Sequence, residues 1–155
     1  MPTIRAIKDW TPLVPQHEAQ IRALQGRKRP INVLSTSSAW LLSSLVLGCN
    51  GLLSGSGSVI ADLQAKLFRA VAANDLAEAR RLNDRIHPLM AVFYADPFVD
   101  MHNRMKEALV LLGRLPRAVV RPPLVKIGDA EIARIRGALV AAGLLDESGK
   151  RREAA

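Results

Sequence analysis

Residues 31–58, INVLSTSSAWLLSSLVLGCNGLLSGSGS, contain two short apolar runs separated by a longer apolar segment. The first run, INVLS (31–35), is short and β-branched, which predicts a strand. Between the runs, Ser38 stands where a helix is capped and Gly48 where a helix stops, so a helix is predicted there. The second run forms a short strand near 50–54 and continues into small residues. The stretch therefore predicts a β-α-β unit.

The residues before this stretch extend the same alternation. TIRAIK (3–8) alternates weakly and carries isoleucines until Asp9 and two prolines break the pattern, which predicts a strand. QHEAQIRALQG (16–26) predicts a helix with Gly26 as its stop. Because a parallel neighbour cannot be reached by a tight turn, strands that alternate with helices predict a parallel sheet with right-handed crossovers.

From residue 59 the apolar periodicity is helical throughout. It predicts two helices up to Phe93, a third over 100–113, and a last helix over 129–145 that Asp129 would cap. The final residues, 146–155, are expected to form a frayed basic tail. Fold class is thus α/β.

Composition excludes several classes of protein. The net charge of +8 and the pI near 10.6 come from basic residues scattered among acidic ones, so a nucleic-acid partner is not expected.

The single cysteine, Cys49, is expected to be buried and inert, and the sequence lacks a signal peptide or membrane span, which favours the cytoplasm. His17, His87 and His102 lack metal-ligand spacing, so no metal is expected and helix packing or surface positions are predicted for them. The glycines of GLLSGSGS match neither nucleotide-binding pattern.

Three parallel strands would leave long, apolar, unpaired edges, which complete domains normally avoid. Either a partner chain closes the sheet, or the sequence belongs to a larger barrel of about 250 residues.

Four segments, in order and spacing, resemble the C-terminal half of the dihydrodipicolinate synthase and N-acetylneuraminate lyase family: PTIRAIKD (2–9), INVLSTSSAWLL (31–42), LGCNGLLSGSGSVIADL (47–63) and LLGRLPRAVVRPPLVKI (111–127). The resemblance implies a partial TIM (β/α)8 barrel, with strands six to eight, their helices and extra C-terminal helices over residues 1–145.

The resemblance also implies a catalytic role for Lys8. In the family, the lysine of the IKD or IKE segment forms a Schiff base with the keto group of pyruvate or a related 2-keto acid, without a cofactor. An amine with a reference pKa near 10.4 becomes a nucleophile when an apolar surround disfavours its charge, and Ile4, Ala6 and Ile7 are expected to supply that surround. From position alone, Lys8 could also be a lysine that extends to water from a strand end.

Three further residues are predicted to bind substrate. The resemblance implies that the backbone carbonyl of Leu53 faces the imine and that Ser54 lines the pocket. Thr36 falls where relatives commonly carry glycine, so its β-branched side chain narrows the pocket and leaves the identity of the keto acid open. Trp10 replaces a small hydroxyl residue and is expected to pack beneath a helix rather than cap the pocket.

The family's carboxylate-binding threonine pair and strand-five tyrosine have no counterpart in this sequence, which looks truncated at its N-terminus. Two functions are therefore considered. The first is a lyase of the Schiff-base, class I aldolase type that acts with a missing N-terminal half or as a homo-oligomer. The second is a non-catalytic half-barrel that pairs with another half-barrel or with itself.

Overall fold

The computed structural model describes residues 3–151. Its strands and α-helices are β1 (Ala6–Asp9), α1 (Val14–Gln25), β2 (Asn32–Ser35), α2 (Leu41–Val46), β3 (Gly51–Leu52), α3 (Gly57–Ala72), α4 (Leu76–Phe93), α5 (Met101–Leu111) and α6 (Asp129–Ala141), and short 3-10 helices precede α2 and α5. The described chain divides into two compact units, one up to Asn83 and the other from Asp84. The domain predicted over 1–145 therefore contains parts of both units, and its assignment as one domain remains a prediction.

The strands form one parallel sheet in the order β1-β2-β3. Lys8 pairs with Leu34, and Leu34 pairs in turn with Gly51. The prediction of three adjacent parallel strands in chain order is confirmed. The strand near 50–54 is shortened to two residues, but the N–H of Leu53 still donates to the carbonyl of Ser35 at 2.8 Å, so the pairing continues past its end.

The two faces of the sheet differ in burial. Side chains alternate between faces along a strand, so Asp9, Val33 and Ser35 share one face, and all three are buried. Lys8 and Asn32 belong to the other face, where both are exposed. We call this second face the open face of the sheet, because the described residues leave it uncovered.

Helices of the first unit cover the buried face. α1 and α2 both contact β2, and α3 contacts α2 and β3. Ile21 of α1 and Leu41 and Leu45 of α2 are buried, as are Val59 and Leu63 at the start of α3. The four-residue spacing of Leu41 with Leu45 aligns this pair on one face of α2, which directs both side chains into this core. α3 bends at Ile60, whose φ of −125° is not helical, and Val59 and Leu63 are buried on either side of the bend.

The second unit is helical. α5 packs against α6, and the buried apolar side chains of this unit are those of Ile86, Leu89, Met90, Phe93, Met105, Ala108, Leu112, Ile135, Ala138, Leu139, Ala142 and Leu145. No helix within residues 3–151 combines the length and the apolar character that crossing a membrane requires.

A buried arginine joins the elements of the second unit. The side chain of Arg104 is 1% exposed, and its Nε donates to Oε1 of Glu131 at 2.5 Å. Nη1 donates to the carbonyls of Phe93 at 3.3 Å and Ala95 at 2.5 Å, and Nη2 donates to that of Asp96 at 3.2 Å. Each guanidinium nitrogen therefore has an acceptor, which is what burial of a charged group requires.

The ends of two helices differ from the prediction. Ser38 lies inside a 3-10 turn (Ser38–Trp40) rather than capping α2, and its hydroxyl donates to the carbonyl of Thr36 at 3.3 Å. Asp129 is the first residue of α6, and the N-cap is Gly128. Gly48 does stop α2, with a φ of 101° that a residue with a side chain rarely adopts.

The segment predicted to fray contains a turn. The N–H of Gly149 donates to the carbonyl of Asp146 at 2.9 Å, and Leu145 forms an antiparallel bridge with Arg151. The rest of the predicted tail, 152–155, lies outside the described residues.

Candidate functional site

The carboxyl ends of the three strands lie at the same edge of the sheet. Lys8 shares a face with Leu34 and Gly51 through the strand register. Thr36 and Leu53 lie two residues beyond these partners, so alternation gives them the same direction as Lys8. Three of the residues predicted for the site therefore lie at or just beyond the ends of neighbouring strands, at one end of the open face.

The surroundings of Lys8 differ from the expected apolar ones. Lys8 is exposed, and so are Ile4 (40%) and Ala6, while Ile7 belongs to the opposite face. The described residues do not enclose the amine. Its Nζ lies 5.7 Å from the ring centroid of Trp10, which is 48% exposed rather than buried beneath a helix. This geometry is of the cation–π type.

Thr36 makes a specific contact with the carbonyl predicted to face substrate. Its Oγ1 donates to the carbonyl oxygen of Leu53 at 2.7 Å. Thr36 is buried, whereas the side chain of Leu53 is 48% exposed. A carbonyl oxygen has two lone pairs, so Leu53 retains the capacity for a second donor. The hydroxyl of Thr36 thus joins the ends of β2 and β3.

Ser54 belongs to a cluster of hydroxyl groups next to this carbonyl. Its Oγ is hydrogen-bonded to Oγ of Ser38 and, at 2.8 Å, to Oγ of Ser56. Nε2 of Gln64, from α3, donates to Ser54 at 3.1 Å and to Ser56 at 2.8 Å. These bonds hold Ser54 half-buried at the end of β3.

An open cavity of about 630 Å³ lies beside β3. Leu53 and Ser54 line it from the strand, and Gln64, Phe68 and Arg69 line it from α3. Two of the predicted substrate-binding residues therefore border a space large enough for a small organic acid.

The sequence prediction missed the partner of Asp9. Nδ1 of His17 lies 2.5 Å from Oδ2 of Asp9, and both side chains are buried. Oδ1 of Asp9 accepts from the N–H of Thr11 at 2.8 Å and from its hydroxyl at 2.6 Å. Burial alone would raise the pKa of the Asp9 carboxyl, but the bonds from Thr11 and His17 and the charge of His17 together hold that pKa below its usual value.

The eight-residue spacing of Asp9 and His17 fits no metal or catalytic motif, and their contact depends on the packing of α1 against the sheet. His87 and His102 are exposed, as a surface position requires. Among residues 3–151, no group of three or more histidine, cysteine or acidic side chains is arranged to hold a metal ion.

Residues 1–142 match the dihydrodipicolinate synthetase family, and the chain belongs to that family. Among curated relatives, it is 33% identical over 108 residues to the 4-hydroxy-tetrahydrodipicolinate synthase of Laribacter hongkongensis, covering 69% of this chain and 35% of that protein. It is 31% identical over 138 residues to the corresponding synthase of Sorangium cellulosum, covering 89% of this chain and 44% of that protein.

A solved structure extends this similarity. YagE, a prophage protein of Escherichia coli that belongs to the same family and was solved with pyruvate, is 28% identical to this chain, with a TM-score of 0.79. The match covers 91% of this chain and 47% of YagE. The chain thus spans less than half the length of the relatives it matches.

Proposed function

We propose that this chain carries the Schiff-base lysine of a lyase of the class I aldolase type, with Lys8 as the nucleophile and pyruvate or a related 2-keto acid as substrate. The observation that carries the proposal is the position of Lys8, which shares one end of the open face with Thr36 and Leu53. The pyruvate bound to YagE supports the class of substrate.

The chemistry uses one amine and one ketone. The neutral Nζ of Lys8 attacks the keto carbon, and the resulting carbinolamine loses water to give a protonated imine. In a longer 2-keto acid with a hydroxyl group on C4, the C3–C4 bond then breaks, and its electron pair moves toward the imine nitrogen to leave the enamine of pyruvate. The hydroxyl proton passes to a base and the other fragment leaves as an aldehyde; with pyruvate itself, loss of a C3 proton to a base gives the same enamine. The second lone pair of the Leu53 carbonyl is available to the imine proton, Thr36 limits the space beside it, and Ser54 offers a hydroxyl at the rim of the pocket.

We further propose that β1, β2 and β3 correspond to strands six to eight of a (β/α)8 barrel and that the open face lines the barrel interior. The exposure of Lys8 and Asn32 on that face supports this arrangement, since the remaining strands would cover it. The missing half, from another chain or segment, would supply the groups that bind the substrate carboxylate and transfer protons.

Borohydride trapping tests the proposal. With pyruvate present, reduction should convert the imine into a stable secondary amine, visible as a mass increase on the peptide that contains AIKDW. Lys8→Ala should abolish the adduct, and Lys8→Arg should also do so, because a guanidinium is not deprotonated at working pH. Lys126→Ala, which removes an exposed lysine, is the matched control and should leave labelling unchanged.

Labelling of this chain alone should be weak, because the orientation of reactants can contribute roughly 7–11 kcal/mol and, on this proposal, the groups that bind the substrate carboxylate belong to the other half. Addition of the missing half should increase it. Equal labelling of Lys8 and Lys126 would contradict the catalytic role and favour the alternative, a non-catalytic half-barrel whose open face serves pairing alone.

A further inference from the structure

A row of side chains crosses the carboxyl end of the open face, one step beyond Lys8. Lys8 pairs with Leu34, so the next residues of these two strands on the same face are Trp10 and Thr36. Leu53 occupies the corresponding position after β3. We call Trp10, Thr36 and Leu53 the rim row, because they border the end of the sheet at which the Lys8 amine lies.

Hydrogen bonds fix the chain on both sides of Trp10. The carbonyl of Asp9 accepts from the N–H of Thr36 at 3.0 Å, which holds the end of β1 against β2. The Asp9 carboxylate accepts from the N–H of Thr11 at 2.8 Å and from its hydroxyl at 2.6 Å. Nε2 of Gln20, on α1, donates to the same hydroxyl at 2.7 Å. Because both neighbours of Trp10 are held, the fold itself sets the position of its backbone at the rim.

The indole of Trp10 lies beside the amine that would form the imine. The Nζ of Lys8 lies over the ring, 5.7 Å from its centroid. In the imine, C2 of the keto acid is bonded to Nζ, and C4 is three bonds from Nζ. A group attached to C4 can therefore reach the face of the indole. This contact does not depend on whether the free amine is charged.

The side chains of the rim row form a notch. Trp10 and Leu53, at its two ends, are each 48% exposed, whereas Thr36 between them is 6% exposed. Two strand spacings, about 10 Å, separate the backbones of the outer residues. The hydroxyl of Thr36 is bonded to the carbonyl of Leu53 at 2.7 Å. The notch thus has an apolar side chain on each side and a hydroxyl with a partner between them.

The chemistry of these side chains favours an apolar group in the notch. An indole face provides a large, flat contact for another planar group, and its one N–H donor lies at the edge of the ring. The leucine side chain on the opposite side has no polar atom. Further hydroxyl groups along a substrate chain would leave water without gaining a partner on either side, which is unfavourable.

We propose that Trp10 is a specificity-determining residue: its indole, together with the Leu53 side chain, holds the part of the substrate beyond C3 and selects a 2-keto acid with an apolar, planar group on C4. This inference rests on the function proposed above and deepens it, because it names the class of keto acid. The aldehyde released by cleavage of the C3–C4 bond would then carry that apolar group.

Competition between two keto acids tests this role. The full chain is incubated with equal concentrations of pyruvate and 2-oxo-4-phenylbutanoate, reduced with borohydride and digested, and the masses of the peptide that contains Lys8 give the ratio of the two adducts. The same ratio at Lys126, an exposed lysine, corrects for the intrinsic reactivity of the two acids. Trp10→Ala should lower the corrected ratio of phenyl to pyruvate adduct about two- to tenfold, as expected for loss of one aromatic contact. Trp10→Phe keeps a ring and should retain most of the preference.

Phe98→Ala, which removes a partly exposed ring in the second unit, is the control and should leave the ratio unchanged. If both adducts of Trp10→Ala fall equally, or the corrected ratio stays the same or rises, the ring only supports the fold or packs against another segment. Either result would overturn the role of Trp10 and leave the proposed function standing. Absence of both adducts in the unmodified chain would instead overturn the proposed function, and the role of Trp10 with it.

Discussion

Asp9 is subject to two opposing effects, desolvation and hydrogen bonding. Burial favours the neutral acid, but Thr11 and His17 place donors on both carboxylate oxygens and keep the pKa low. A carboxyl whose pKa is lower in the folded chain stabilises the fold above its unfolded pKa, and that contribution disappears as the pH falls through the folded value. The stability of the first unit should therefore depend on pH through this residue.

Asp9→Asn tests that dependence. At pH 7 we expect the free energy of unfolding to fall by about 1–3 kcal/mol, because His17 loses its charged acceptor. The difference from the parent chain should narrow below about pH 4, where the unfolded-state carboxyl is protonated. Urea unfolding at pH 7 and pH 3 measures both values. Asp62→Asn, at an exposed position on α3, should leave the free energy of unfolding unchanged at both pH values. A difference between Asp9→Asn and the parent chain that stays constant with pH would contradict the expectation.

Residues were predictable from the sequence to different extents. Lys8, Thr36 and Leu53 follow apolar strand runs, so their common end of the sheet follows from parallel pairing alone. The exposure of Lys8 could not be predicted in this way, because it depends on what covers the open face. The contact of His17 with Asp9 also escaped prediction, since one lies on a helix and the other on a strand and no local pattern relates them.

At the scale of elements, helix ends were the weakest part of the prediction. Gly48 marked its stop correctly because a positive φ is a property of the backbone at that one position. Ser38 and Asp129 fit the composition of a cap, yet the hydroxyl of Ser38 bonds to Thr36 and the cluster around Ser54. A side chain with several possible hydrogen-bond partners can form a tertiary contact instead of capping the helix. The amino-acid composition near a helix end does not predict which of the two it forms.

Arg104 links α5 to α6 and to the carbonyls after α4, so its loss should destabilise the second unit. Arg104→Met fills similar volume but removes the donor that Arg104 supplies to Glu131 and to three carbonyls. We expect the free energy of unfolding to fall by about 3–5 kcal/mol. Arg134→Met is the matched control, because Arg134 is 57% exposed and its nitrogen lies 3.7 Å from the same Glu131. That change should cost at most about 1 kcal/mol. Denaturant unfolding followed by circular dichroism compares the two, and equal losses would contradict the role of Arg104.

At the scale of the whole molecule, the open face predicts association. The outer edges of the sheet and the partly exposed Leu34 should favour pairing with a second copy when no other segment covers the open face. Asn32→Lys places an ammonium on the open face, and we expect it to raise the concentration needed for association by at least about tenfold. Sedimentation velocity over a range of concentrations provides the measurement.

Gln16→Lys adds the same charge at an exposed position on α1 and should leave association unchanged. A parent chain that stays monomeric at all concentrations and unfolds in one sharp, reversible transition would show that the fold needs no partner.

The edges of this sheet also limit which segments can pair with it. β1 and β3 are the outer strands, and both present main-chain donors and acceptors at the repeat that all parallel sheets share. Pairing at such a strand edge depends first on the direction of the incoming strand and the spacing of its main-chain groups, and only second on its side chains. The main chain of β1 and β3 can therefore pair with strands of different sequence, so more than one kind of segment can complete the same sheet.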